Sequence, residues 1–440
     1  MSLSKTLFAA LFLFSLLLCA PRNPAQTATV YWNNTEQVID GFGASDATQY
    51  RPLTNAQATL VFSTTTGVGL SLLRTEVPDD GSCSTVNTTC AGQVTDMQLA
   101  IANGARVWST PWSPPVAMKS NNNLVNGGAL LAVSYQPYAN YLANYVKSLR
   151  TLYGINLYAL SLQNEPTAAA TWASAIWSPT NLDTFIGANL GPTFAADGLS
   201  PLIMLPETST WQQLAPYSTA VMGDPTALPY VGIIATHDYN HAGLPSYTLG
   251  QFGGKHLWET EVDDHNSFDP SITSALTYAQ DIHDWMTTAN ANAWHYWWII
   301  GLNGDNEGLI DSASGIVSKR LYIMGNYSKF ARPGFYRIDA TVTPQSGVFV
   351  SAYKSVTSGA FVIVVINRNN SDVSQSFTLN GASASTVSPW VTSATLNLIQ
   401  QSNISVNNGS FAYSLPAASV TSFVGTTATV PPTGLTATIR

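Results

Sequence analysis

The chain has 440 residues, 45% hydrophobic and only 10% charged, enough apolar material for a large core and too little charge for an intrinsically disordered protein. Its net charge of −8, with no basic cluster anywhere, excludes a nucleic-acid-binding role and favours solubility. The 12 Trp and 19 Tyr can serve both a core and a surface that stacks on sugar rings.

The chain opens with Lys5, an apolar run from Leu7 to Ala20, and Pro21. That is the layout of a secretory signal peptide and is too short for a comfortable membrane span. A signal over residues 1–25 and a secreted, extracellular protein are therefore expected. Cys83 and Cys90 then remain as a pair, read as a disulfide that pins a local loop. Residues 26–38 carry the β-formers Thr29 to Trp32, with a turn at Asn33-Asn34.

From 39 to 332 apolar runs of strand length recur, beginning with Gly41-Phe42-Gly43 and ending with Trp294 to Ile300. Helical stripes lie between them. Tyr138, Tyr141, Leu142, Tyr145, Val146 and Leu149 make the clearest, closed by Gly154, and Ala275, Ala279, Ile282 and Met286 make another. This alternation predicts the α/β class, a (β/α)8 TIM barrel. From 333 to 426 short β-branched segments are separated by Asn, Gly and Ser, which predicts a side β-sandwich. The strands before the barrel are expected to pair into it, so that it is built from both chain ends. The tail at 427–440 reads as a linker or a truncated module.

Two apolar runs end in carboxylates. Ala159 to Leu162 leads to Gln163-Asn164-Glu165-Pro166, and Leu257-Trp258 leads to Glu259-Thr260-Glu261. A strand buried on both faces tolerates a charge only at its end, and strand ends on one face of a barrel line its active site. Pro166 predicts extended backbone at Glu165. The bland alternatives are a Glu at a helix start for Glu165 and an early surface loop for Glu261. Spacing does not choose between Glu259 and Glu261. Glycoside cleavage needs two carboxyl groups, one to protonate the leaving group and one to act as nucleophile or base.

These motifs, with Val38-Ile39-Asp40-Gly41-Phe42-Gly43, Ser109-Thr110-Pro111-Trp112-Ser113-Pro114-Pro115, Phe330-Ala331-Arg332-Pro333-Gly334 and Leu415-Pro416-Ala417-Ala418-Ser419-Val420, resemble glycoside hydrolase family 30, in particular its bacterial glucuronoxylan-type xylanases. The resemblance runs over residues 28 to 425. It implies a retaining endo-β-1,4-xylanase, with Glu165 as acid/base and Glu261 as nucleophile, which leaves Glu259 as a neighbour. It also places Tyr239 near the nucleophile. Further substrate-binding candidates are Asn164, Trp112 as a cleft wall, Trp172 and Trp298 as stacking rings, and Arg74, at a strand end, as a cation beside a carboxylate. Trp297 and Trp298 are adjacent on one strand and should face opposite ways, so at most one lines the cleft.

In glucuronoxylan-specific relatives the loop after the eighth strand carries an arginine for the glucuronate group; here Ile299 to Gly308 has neither Arg nor Lys and carries Asp305 and Glu307. Glucuronate is therefore not expected to be required. A second possibility is a relative acting on another β-glycan, such as β-1,6-galactan or as an exo-acting β-glycosidase. A third, a non-catalytic sugar-binding protein, fits poorly with two intact carboxylates. Asp263-Asp264-His265 and Asn303 to Gly308 read as solvated loops, because the calcium-loop pattern fails at Ser314. No cofactor or metal is expected, and the partner is xylan or a related plant cell-wall polysaccharide acted on by a monomer.

Overall fold

The computed structural model describes residues 26–48, 52–84, 88–240, 243–248, 250–302 and 304–427. The expected signal peptide, Asn303 and nearly all of the tail from 427 lie outside them. Strand β1 (Ala28–Val38) belongs to a side sheet. Then β2 (Gly41–Ser45), β3 (Leu72–Glu76), β4 (Arg106–Thr110), β5 (Ala159–Ser161), β6 (Leu202–Thr208), β7 (Val231–Thr236), β8 (His256–Glu259) and β9 (Ala293–Gly301) pair in parallel, each with the next. β9 pairs with both β2 and β8, which closes a barrel.

The strands read as near-continuous apolar runs because both faces are covered. Inside, Leu72, Trp108, Ala159, Met204, Ile233, Ala235, Trp258 and Ala293 form one buried cluster. Outside lie α1 (Asn55–Phe62), α2 (Thr88–Ala102), α3 (Tyr135–Tyr153), α4 (Pro179–Phe185), α5 (Gly191–Ala196), α6 (Leu214–Gly223), α7 (Ile272–Thr287) and α8 (Lys319–Ser328). In α3 the predicted stripe is buried except for the half-buried Tyr141, and Gly154 caps the helix at φ 71°. All four predicted stripe residues of α7 are buried. Cys83 and Cys90 form a disulfide with Cα atoms 5.2 Å apart, just before and within the start of α2.

After β10 (Gly308–Asp311), which extends the barrel sheet beside β9, the chain enters the side domain. Its strands are β11 (Tyr336–Ala340), β12 (Val348–Lys354), β13 (Ala360–Asn367), β14 (Val373–Asn380), β15 (Thr386–Thr392), β16 (Ile399–Gln400), β17 (Ile404–Ser405), β18 (Ser410–Leu415) and β19 (Ser419–Thr426). Together with β1 they make one ten-stranded sheet that curls around its own core, including Val30, Val350, Ile363, Phe377, Phe411 and Phe423. β1 lies between β11 and β14. The turn expected at Asn33-Asn34 is instead an irregularity inside one strand: pairing with β11 shifts between Tyr31 and Thr35, and the chain continues to Val38.

The two domains share a tight seam. Asn326 Nδ2 donates to the Trp390 carbonyl at 3.0 Å and to Ser422 Oγ at 2.9 Å, and Ser422 Oγ donates to the Asn326 carbonyl at 2.6 Å. Phe330 packs on Trp390 with ring centroids 5.3 Å apart.

Candidate active site

The carboxylates meet where the barrel strands end. Glu165 lies past the end of β5, in the turn that begins at Leu162. Its N–H bonds the Glu207 carbonyl at 3.0 Å, and its own carbonyl accepts from Ala168 at 2.9 Å. The backbone there is left-handed, φ 49°, not extended as Pro166 predicted, because these two hydrogen bonds turn the chain at this residue. Glu207, at φ 53°, is left-handed as well. Two non-glycine residues held in this region, each costing on the order of 1–2 kcal/mol, mark a centre whose surroundings over-determine it.

Arg74 organises the cluster. It lies mid-strand in β3 rather than at its end, fully buried. Its Nη1 bonds Glu261 Oε2, while Nη2 bonds Asn164 Oδ1 at 2.6 Å and Glu207 Oε1 at 3.0 Å. Trp112, Trp297 and Trp108 surround the guanidinium, with centroids 4.7, 5.3 and 5.4 Å from Cζ. Burial would lower the Arg74 pKa, but Glu207 and Glu261 outweigh it and raise it, so the cation is secure.

Glu261 Oε1 accepts from the Tyr239 hydroxyl at 2.5 Å. Burial, then the Glu261 charge, pushes that phenol far above its ordinary range, so it remains a donor. His237 sits in the middle, fully buried, with Nδ1 3.2 Å from Glu165 Oε1 and 3.8 Å from Glu261 Oε1, and Nε2 3.8 Å from Glu207 Oε1. Burial opposes its charge, but Glu261, Glu165 and Glu207 raise its pKa to about 9. Burial would likewise raise Glu165; the hydrogen bond and charge of His237 win and hold it below its ordinary value. Burial is overcome at Glu207 by Arg74 and then His237, which bring it to about 2, and Thr110 Oγ1 donates to its Oε2 at 2.5 Å.

Glu165, His237 and Glu261 offer ligand atoms within 4.8 Å of one another. Arg74 and His237 already supply positive charge to these carboxylates, so the set does not call for a metal. Glu259 belongs elsewhere. It is fully buried in the barrel wall, where its oxygens accept the N–H groups of Glu261 and His295, both at 2.8 Å. That pairing separates two carboxylates that spacing alone left equivalent.

The remaining candidates divide. Asn164 is in the cluster, bonded to Arg74. Trp112 is only 4% exposed and covers Arg74, a wall rather than an open stacking ring. Trp172 is 56% exposed on the loop after β5, beyond the cluster. Trp298 is half-buried and donates from Nε1 to the Ala47 carbonyl at 2.9 Å. Its ring stacks on Trp297 at 4.9 Å, so the expected opposition of these neighbours does not hold. The pairing of β2 with β9 slips between Ala44 and Ser45, opposite Tyr296 and Trp298, and this bulge turns both indoles toward Trp112.

Sequence reasoning missed Glu207 and His237. Glu207 hides behind Pro206, which looks like a strand terminator although β6 runs through it to Thr208. His237 directly follows β7, near a strand end as the two acids are, but a lone His carries no such signal. The loop after β8 also differs from expectation. Asp263, read as solvated, is 2% exposed, and burial followed by Glu261, Glu307, Asp264 and Asp305 raises its pKa to about 8.

A closed parallel barrel with two acids at its strand ends, clamped by a buried arginine, is the architecture of a sugar-cleaving hydrolase. The family model for the glycosyl hydrolase family 30 TIM-barrel domain matches residues 93–300. The chain is 35% identical over 412 residues to the glucuronoxylanase XynC of Bacillus subtilis (strain 168), covering 91% of this chain and 92% of that one. It therefore belongs to glycosyl hydrolase family 30. Among solved structures, the glycoside hydrolase family 30 subfamily 8 xylanase Xyn30A from Clostridium acetobutylicum superposes with a TM-score of 0.81 at 36% identity, covering 91% of this chain and 99% of that one. A family 30 endoxylanase from Clostridium papyrosolvens C71 gives 0.79 at 34% identity, with 91% and 100% covered.

Proposed function

We propose that this chain is a secreted, monomeric, retaining endo-β-1,4-xylanase that acts on xylan without a strict need for glucuronate side groups. The observation that carries the mechanism is the approach of Glu165 and Glu261, whose oxygens lie within 4.8 Å of each other. Retaining pairs stand about 5–5.5 Å apart and inverting pairs about 6.5–9.5 Å, the latter leaving room for a water.

Glu261 attacks the anomeric carbon, with Arg74 and Tyr239 holding its oxygens in place. Glu165 donates a proton to the departing glycosidic oxygen. His237 Nδ1–H, against Glu165 Oε1, is the store of that proton: as the sugar arrives and Glu261 gives up its charge to the new bond, the proton moves to Glu165. Glu165 then draws a proton from water, which opens the glycosyl ester.

The relatives support xylan as the substrate, and the loop after β9 supports independence from glucuronate. The relatives at 34–36% identity over nine-tenths of the chain or more are glucuronoxylanases and xylanases. The loop after β9 carries Asp305 and Glu307. Arg320 reaches this loop but is fully buried, with Nη1 on the Asp269 carbonyl, Ser274 and Asn306 and Nη2 on the Gly308 carbonyl, so it is not available to a ligand carboxylate.

Two measurements test the reading. Glu261→Gln should lower turnover on xylan by on the order of 10⁴-fold or more with an unchanged circular dichroism spectrum, a loss of at least about 5 kcal/mol of transition-state stabilisation; retained turnover refutes the nucleophile. Product analysis on linear xylo-oligosaccharides and glucuronoxylan side by side should give comparable oligomer ladders. Negligible cleavage of the linear substrate refutes the independence from glucuronate, and monomer alone refutes the endo mode.

A further inference from the structure

The geometry points to a binding site for a divalent transition-metal ion, of the Mn²⁺ or Zn²⁺ class, formed by Asp263, His265 and Glu307 at the rim of the barrel mouth. Asp263 and His265 lie on the loop between β8 and α7, and Glu307 on the loop between β9 and β10. The three offer one ligand atom each within 4.8 Å of one another. His265 Nδ1 is 3.2 Å from Glu307 Oε1. That is the edge length of two neighbouring ligands on one ion, with bonds of about 2.0–2.2 Å.

A second observation is independent of this clustering. Asp263 is 2% exposed, and neither of its carboxylate oxygens has a hydrogen-bond partner. A buried carboxylate in that state is unfavourable when ionised, so it either holds a proton or is bound by a cation that displaces that proton. The charges that act on it most strongly are those of Glu261, Glu307, Asp264 and Asp305, all acids. The other acids of these loops are engaged. Asp264 takes hydrogen bonds from Asn266 N–H and Asn306 Nδ2, each at 3.0 Å, and from the Tyr278 hydroxyl at 2.8 Å. Asp305 Oδ1 accepts the Glu307 N–H at 3.2 Å. Asp263 is thus the group left over, and it faces an imidazole that is 73% exposed and able to turn toward it.

One imidazole with two carboxylates suits Mn²⁺ or Zn²⁺ better than Ca²⁺, which prefers an all-oxygen shell. An ion there would tie the loop that follows Glu261 to the loop that follows the last barrel strand. The site adjoins the reacting groups through Glu261, which acts on Asp263, but takes none of them as a ligand, and the test does not depend on xylan cleavage.

The full chain, stripped with a chelator and dialysed, is titrated calorimetrically with MnCl₂, ZnCl₂ and CaCl₂, and its melting temperature is followed in parallel. One ion per chain should bind and raise the melting temperature by a few degrees. His265→Ala changes an exposed side chain and should leave the fold intact, yet weaken binding by roughly tenfold or more and remove the thermal shift. Asp263→Asn should do the same. Glu165→Gln should leave binding intact, which separates this site from the catalytic cluster. Absence of binding by either transition ion, as expected if His265 is only an ion-pair partner of Glu307, overturns the proposal. So does binding that survives both His265→Ala and Asp263→Asn, that is lost in Glu165→Gln, or that is tighter for Ca²⁺.

Discussion

Arg74 shows how one buried cation can set the chemistry of several acids. Its planar fork reaches Glu261 with one nitrogen and Asn164 and Glu207 with the other, a division that a lysine could not make. His237 is the second positive centre, and its pH dependence can be worked out. Its pKa rises from 6.5 to about 9 on folding, so the folded chain holds the proton more tightly than the unfolded one. The resulting stabilisation, on the order of 3 kcal/mol, is complete below pH 6.5 and is lost as pH climbs through about 9. The melting temperature should therefore fall across that interval, and His237→Gln should flatten the fall. A wild-type profile that is level from pH 6.5 to 9 would show that His237 is neutral in the folded chain.

At the scale of elements, Gly43 shows how closely the barrel strands fit. A Cβ there would lie 2.5 Å from His295 Cδ2 and 2.7 Å from the Leu72 carbonyl oxygen. His295 cannot move aside, since its Nδ1 is 2.9 Å from the Glu259 carbonyl and its Nε2 accepts from Trp108 Nε1 at 3.2 Å. Gly43→Ala should cost about 1–3 kcal/mol, measured by urea denaturation; an unchanged midpoint would mean that β2 can shift.

The alternation of apolar runs and helical stripes announces the barrel because each strand must be apolar on both faces and each helix on one. Glu165 and Glu261 are legible because a charge closing an apolar run has few places to go. The roles of Trp297 and Trp298 are not legible, because a one-residue slip in pairing leaves no trace in composition. Glu207 is hidden for a similar reason: Pro206 disguises the last residues of its strand. The buried state of Asp263 depends on packing between loops that are 44 positions apart at Glu307, beyond any local pattern.

For the molecule as a whole, the seam between barrel and curled sheet is the place to test cooperation. Asn326 is fully buried, and its amide and carbonyl serve both sides of the joint. Asn326→Ala removes the buried amide that bridges the Trp390 carbonyl and Ser422 Oγ and should cost about 1–3 kcal/mol. Calorimetry should then show one melting transition at a lower temperature; two separate transitions would mean that the domains are energetically independent.

β1 gives the molecule a particular order of events during translation. Its parallel partner β14 begins 345 residues after β1 begins, and Gln375 Nε2 reaches back to the Gln26 carbonyl, 349 positions away. The ribosome therefore delivers the whole barrel before either lasting neighbour of its leading strand exists. Until β11 emerges that strand presents open backbone groups on both edges, and until residues near 380 emerge on one, and another nascent chain could pair with them. The polar Asn33, Asn34, Thr35, Glu36 and Gln37 in this strand are poor material for such mispairing, so a sequence that looked like a turn protects the barrel while it waits.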